Sequence, residues 1–249
     1  KGSYEYQDLE YPDDCIVDFD MRLIDLFKEM DKKKLTLKMQ IRQEYYRVKE
    51  LLDGKRPSRM DLFTYMDDEI YWCCVSGSHA KENPFQHYLD FLYELDELSE
   101  DEQKLYAEIG REFIQTIETT EMQKVYKMPI LYSFYNHGNI RLAVTDEEVL
   151  ESWKEFFDTG TNWKDFPNVN TYEDYKKVTD KQHLSKAKRM PITRLKMSGK
   201  GFFVEKDGYA LALRDEIGDV VGNMAFGEQL GDVLGYRSLE YYRRRYEKE

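Results

Sequence analysis

Four histidines, three cysteines and forty-nine carboxylates are the side chains of this chain that could hold a metal or run acid–base chemistry. His79, His87, His137 and His183 stand apart, with no HExxH and no CxxC beside them, so tetrahedral zinc has no ligand spacing to use. His87 reads as a surface or boundary residue of a helix. Asp67-Asp68-Glu69 and Asp146-Glu147-Glu148 bunch acids as a metal site would. Each also opens an apolar helical pattern, where carboxylates belong on electrostatic grounds. Adjacent Cys73 and Cys74 bridge only with strain and read better as small buried apolar residues. Neither GxxxxGK[ST] nor GxGxxG occurs, so no phosphate cradle is visible. No Ser or Cys nucleophile has a base placed beside it. The residues therefore predict no catalytic centre, no metal site and no cofactor in this chain.

The chemistry that remains is ionic. Residues 175–200 (YKKVTDKQHLSKAKRMPITRLKMSGK) hold nine Lys or Arg and one acid, Asp180, in a chain of net charge −12. The rest of the chain is left with about −20. Lys181, Lys186, Lys188, Arg189, Arg194, Lys196 and Lys200 surround apolar Leu184, Ala187, Ile192 and Leu195. That arrangement would anchor an element by its apolar side and turn cations toward phosphates. Arg243 and Arg244, in the arginine run near the end of the chain, could join the same surface. The plain alternative is a solvated helix face, or one paired with the acids of the remainder. An acidic total argues against long non-specific wrapping of nucleic acid and for a small local footprint.

Elements must hold these cations in place. Pro191 splits the basic stretch into two short helices, over about 179–188 and 191–197. After it, GFFVEKDGYALAL (201–213) reads as a β-hairpin on an Asp207-Gly208 type I′ turn. In that register Val204 faces Leu211 and Phe202 faces Leu213, with Phe203, Glu205, Ala210 and Ala212 on the other side. A basic helix followed by a hairpin is the order of recognition helix and wing in a winged-helix DNA-binding domain. Upstream, an apolar helix opens with Pro129 near 128–135, and NIRLAV (139–144) alternates like a strand. Thr145 and Glu148 form a capping box for a helix striped by Val149, Leu150, Trp153, Phe156 and Phe157.

The first half reads as helices throughout. One begins near Asp18–Asp20 with Phe19, Leu23, Phe27 and Met30 on a face. A second covers about 37–52, lined by Leu37, Ile41, Tyr45, Val48 and Leu52 and ended by Gly54. Ser58 and Asp61 have capping-box spacing and start a short helix at Arg59. Another starts near Pro84, and the Ser99/Glu102 box opens one lined by Leu105, Ile109, Phe113 and Ile117.

The fold class expected is mainly α: a helical domain over 1–118, then a winged-helix-like α+β domain with one β-hairpin and C-terminal helices over 119–249. At 249 residues, with 41% hydrophobic and 14% aromatic residues, the chain can fill such cores. Three cysteines make no disulfide framework and suit a cytoplasmic, reducing setting. No apolar run is long enough for a membrane partner. The chain begins at Lys1 without an initiator Met, as a fragment of a longer protein would.

Five stretches stand out: YYRVKELLDGKRPSRMDLFTYM (45–66), IETTEMQKVYKMPILYSFYNHGN (117–139), TDEEVLESWKEFF (145–157), SKAKRMPITRLKMSGKGFF (185–203) and YRSLEYYRRRY (236–246). Together they resemble the C-terminal accessory region of bacterial DEAD/DEAH-box-type superfamily-two helicases of the type III restriction subunit kind. The chain has DGKRPS where LGxRPS is usual and RMPI where KNPI is common. None of these stretches is a catalytic motif. The resemblance implies a non-catalytic region that binds DNA and positions it for helicase motor domains of the same parent chain. It also implies that ATP and Mg serve that motor and not this region. A protein-interaction module docking the motor or a partner subunit is the alternative, and an independent nuclease or metalloenzyme the remote third.

Overall fold

A computed structural model describes residues 35–79 and 81–246. The helix expected near Asp18–Asp20 lies outside them, as does Cys15. Within them the chain is mainly helical and carries one small three-stranded antiparallel sheet.

Local signals place most helices. Helix α1 (Leu37–Leu51) is capped by Thr36 and buries Ile41, Tyr45 and Val48. Gly54, at φ +79, takes the left-handed turn that ends it. Ser58 and Asp61 make a reciprocal capping box at α2 (Arg59–Tyr65). Asp67 caps α3 (Asp68–Val75) by accepting from the Glu69 and Ile70 N–H groups at 3.0 and 3.3 Å, so its acid triplet is a helix start. Cys74 on α3 is buried, which pushes its thiol up to about 12, but Cys73 is exposed, so only one of the pair is a core residue. A 3-10 turn (Pro84–Gln86) leads into α4 (Tyr88–Glu94).

The helix expected from the Ser99 box is two helices, α5 (Glu100–Ala107) and α6 (Ile109–Thr119), broken at extended Glu108. Leu105 fills the space where a side chain on Gly110 would lie, so the break lets the two helices fold against each other. Helix α7 (Lys127–Tyr135) ends in a left-handed run at Asn136, His137 and Gly138. The chain then doubles back, with the Arg141 N–H donating to Phe134 O at 2.8 Å. The expected strand over 139–144 therefore shrinks to β1 (Ala143–Val144). Thr145 and Glu148 box the start of α8 (Asp146–Asp158) as expected. A short helix α9 (Tyr172–Lys176), capped by Thr171, adds to the expected elements.

The basic stretch is one continuous rod. Helix α10 (Asp180–Ala187) passes through a π turn (Lys188–Ile192) into α11 (Thr193–Ser198) without leaving helical geometry. The expected break at Pro191 is absent, because the wider turn absorbs the proline ring and its missing N–H.

The hairpin strands are β2 (Phe203–Val204) and β3 (Leu211–Leu213), and β3 lies centrally in the order β1-β3-β2. Their register is Phe203 with Leu213 and Val204 with Ala212, one residue away from the expected pairing. A type I′ turn needs positive φ at both central residues; only Gly208 has it, at +84. The Tyr209 N–H still donates to Lys206 O at 3.1 Å across the same two central residues, but Asp207 stays at negative φ and the strands pair one residue out of step. Leu211, Ala212 and Leu213 are all buried, so both faces of the central strand are covered.

Two apolar cores result. The first joins α1 to α4, from Ile41 to Leu95. The second gathers Leu105, Phe113, Ile114 and Ile117 of α5 and α6 with α7, α8, the basic rod and the sheet. Packing places α5 and α6 with the second half, and Leu89 of α4 joins them in that core. The long C-terminal helix α12 (Met224–Tyr246) serves both: Phe226, Leu230, Val233 and Leu234 enter the second core, and Tyr236 stacks on Phe85 at 4.9 Å in the first.

Buried ions fasten the joint. Arg59, fully buried at the start of α2, donates to Glu118 Oε1 at 2.5 Å and to Asp232 Oδ2 at 2.7 Å. Asp232 also accepts from the backbone N–H groups of Arg59 and Met60. Arg56 donates to Glu102 Oε1 at 2.8 Å, where Gln229 Nε2 donates as well.

Candidate nucleic-acid interface

The rod of α10 and α11 owes its two faces to an apolar repeat with one added residue. His183, Ala187, Pro191 and Leu195 are buried at steps of four, and Ile192 is buried beside Pro191. In a regular helix, at 3.6 residues per turn, Ile192 would lie about 140° round from Ala187. The π turn takes up that extra residue and keeps all of these side chains on the core side. Leu184 is half-buried against the same core.

Three contacts brace the rod. His183 is buried between Phe166 at 4.9 Å and Tyr175 at 5.6 Å, and burial lowers its pKa, with Lys154 adding to the effect. Lys127 of α7 is buried too and donates to Thr120 Oγ1 at 2.9 Å, Glu121 O at 2.8 Å and Ser198 Oγ at 3.3 Å. Burial draws its pKa below the usual lysine value. Gly199 ends the rod directly over the Phe203 ring and the Leu195 carbonyl, leaving no room for a Cβ. Lys200 (φ +48) and Gly201 (φ +79) then turn the chain into β2.

The expected site residues fall into three groups. Lys181, Lys186, Arg189, Arg194 and Lys200 lie on the outward side of the rod or its terminal turn. Among the described residues, the Lys and Arg side chains with no ion pair, hydrogen bond or ring contact are these five together with Lys55 and Lys81. Lys188 and Lys196 flank the face and are paired, Lys188 with Asp146 at 2.9 Å and Lys196 with Glu205 of the hairpin. Exposed Met190 (53%) and Met197 (72%) sit among the cations.

Arg243 and Arg244 are placed elsewhere and do different work. Arg243 lies 4.4 Å over the Tyr71 ring, near Phe63 and Trp72, and pairs with Asp68 at 2.5 Å. It therefore fastens α12 to the first core. Arg244 pairs with buried Glu240 at 2.5 Å. Arg245, their neighbour, reaches buried Asp165.

Sequence reasoning missed His183, Lys127 and the π turn. Pro191 inside an otherwise helical pattern was the available signal for the turn, and Thr179/Gln182 spacing was the signal for the capping box that starts α10. Nothing local marked Lys127, whose partner Ser198 is 71 residues away.

Other chemistry finds little footing. Among the described residues no group of three or more His, Cys, Asp or Glu side chains is placed to hold a metal ion. His87 is half-buried and bonded to Gln115 Nε2 at 2.8 Å. No helix among the described residues is long and apolar enough to cross a membrane. Comparison with protein-family models, with curated proteins and with solved structures finds no match.

Proposed function

We propose that this chain binds DNA through the outward face of the α10–α11 rod and catalyses nothing itself. The observation that carries the reading is the concentration of unpaired cations there, while cations elsewhere are mostly tied to acids, carbonyls or rings. Leaving like charges side by side without counter-ions is unfavourable, and an arriving phosphate backbone relieves it while releasing its own condensed ions. The connectivity supports a winged-helix arrangement: helix α7, strand β1, helix α8, the rod, then a hairpin whose second strand sits between the other two. On this reading the rod is the recognition helix, and the turn at Lys206, Gly208 and Tyr209 is the wing. A π turn in the middle of the rod is also the kind of irregularity that gathers at functional sites. The resemblance to helicase accessory regions supports placing this region beside an ATP-driven motor of the same parent chain.

Fluorescence anisotropy with a labelled duplex at low salt tests the reading. Replacing Lys186, Lys188, Arg189, Arg194 and Lys196 with Glu abolishes binding; binding that survives the replacement, or is absent from the start, rejects it. A second reading, docking onto a protein partner, draws on Met190 and Met197, since exposed methionines adapt to apolar protein surfaces. Pull-down by the parent's motor domains that the charge reversals leave intact and that Met190→Ser with Met197→Ser removes would favour it.

A further inference from the structure

A second site lies away from the basic rod. Helices α7, α8 and α12 enclose a cleft of about 530 Å³, within the range of small-molecule sites. Its walls come from one stripe of each helix. Helix α8 turns Val149, Trp153 and Phe157 into the core and offers Glu148, Glu151 and Glu155 to the cleft, at spacings that put them on one side. Helix α7 supplies Tyr132 and Tyr135, and α12 supplies Tyr242. The Tyr132 ring stands 6.1 Å from Phe156 and 6.3 Å from Tyr135, and the Tyr242 hydroxyl is buried with no hydrogen-bond partner.

The charges in this cleft do not balance. Glu148 is fully engaged: it pairs with Arg141 at 3.0 Å and accepts from the Thr145 N–H at 2.8 Å. Among the described residues the Glu155 carboxylate pairs with His137 alone, at 3.4 Å. Glu151 has no ion pair or hydrogen bond among the described residues. Three carboxylates thus face one guanidinium and one imidazole, and Glu151 lies one helical turn from both other acids. Like charges at these spacings destabilise a helix. A ligand carrying positive charge relieves that repulsion, and aromatic faces attract the same charge through their quadrupoles.

We infer that the cleft is a binding site for a small organic cation: an amine or amidine on an aromatic body, with its charge at Glu151 and Glu155 and its ring against Tyr132 and Tyr135. This inference does not depend on DNA binding by the rod.

Isothermal titration calorimetry of the full chain with benzamidine and phenylethylamine, with benzoate as the anionic counterpart, tests it. The two cations bind saturably and benzoate does not. Glu151→Gln weakens the cations about fivefold and the Glu151→Gln, Glu155→Gln pair weakens them further, as loss of a partly screened ion pair requires. Both substitutions are at exposed positions, and unchanged thermal unfolding confirms that the variants fold. No saturable binding of either cation, equal binding of benzoate, or undiminished binding to the double variant would overturn the assignment.

Discussion

The arginines of the joint and the cations of the rod carry the same charge and have opposite surroundings. Arg59 is sealed between Glu118, Asp232 and the Tyr88 ring, which lies 4.7 Å beneath its guanidinium. Arg189 and Arg194 stand in solvent with no partner among the described residues. A buried charge is tolerable only when it is paired, so the joint cations are committed to holding the two cores together. An exposed charge contributes little to stability and stays available to a ligand. The contrast teaches that a count of Lys and Arg says nothing about role until burial and partners are known. It also explains why the C-terminal arginines, equal in charge to those of the rod, do different work: each is tied to an acid, Arg243 to Asp68, Arg244 to Glu240 and Arg245 to Asp165.

Removing a joint cation gives the largest effect. Arg59→Met leaves Glu118 buried without its counter-ion, and we expect a loss of about 3–5 kcal/mol by urea denaturation. DNA affinity per folded molecule is unchanged. A loss below about 1 kcal/mol would break the comparison, since Arg59 would then behave as a surface charge.

Next is the brace at the end of the rod. In Gly199→Ala the new methyl meets the Leu195 carbonyl and the Phe203 ring. We expect about 1–3 kcal/mol of destabilisation from that overpacking. A neutral result would show that the rod and hairpin are not fixed against each other.

The smallest effect is a pH dependence. His183 is held neutral by burial, and its folded pKa lies below the value of 6.5 for a free histidine. Below about pH 6.5 the unfolded chain therefore takes up a proton that the folded chain refuses. Stability contributed by neutral His183 is complete above that pH and is lost as pH falls toward the folded pKa. Lys154 opposes protonation there, while Asp158 and Asp180 favour it without reversing the balance. His183→Phe should flatten the slope of stability against pH below about 6.5. An unaltered slope would mean that His183 is free to ionise in the folded state.

The sequence disclosed what is set within a few residues. The Ser58, Ser99 and Thr145 capping boxes stand where their spacing predicts, because a box is built from two residues three positions apart. So does the inward face of the rod at Ala187, Ile192 and Leu195. The hairpin was legible in existence and not in register, since Asp207-Gly208 fits more than one turn type and only the φ of Asp207 distinguishes them. The break at Glu108 depends on Leu105 packing over Gly110, which no periodicity reveals. Of the site, the rod and its cations were legible, but which cations are free was not. Lys188 is neutralised by Asp146, 42 residues away, and Arg243 by Asp68, 175 residues away. Those pairings exist only once the chain has folded.

The salt dependence of duplex binding tests the central claim most directly. Log affinity should fall linearly with log salt concentration, with a slope of about −0.9 for each phosphate neutralised. Neutralising Lys186, Arg189 and Arg194 one at a time to Gln should make the slope shallower by about 0.9 for each phosphate no longer neutralised. Arg244→Gln should leave it unchanged. Equal slopes for wild type and the rod variants, or a shallower slope for Arg244→Gln, would contradict the assignment of DNA binding to the unpaired face.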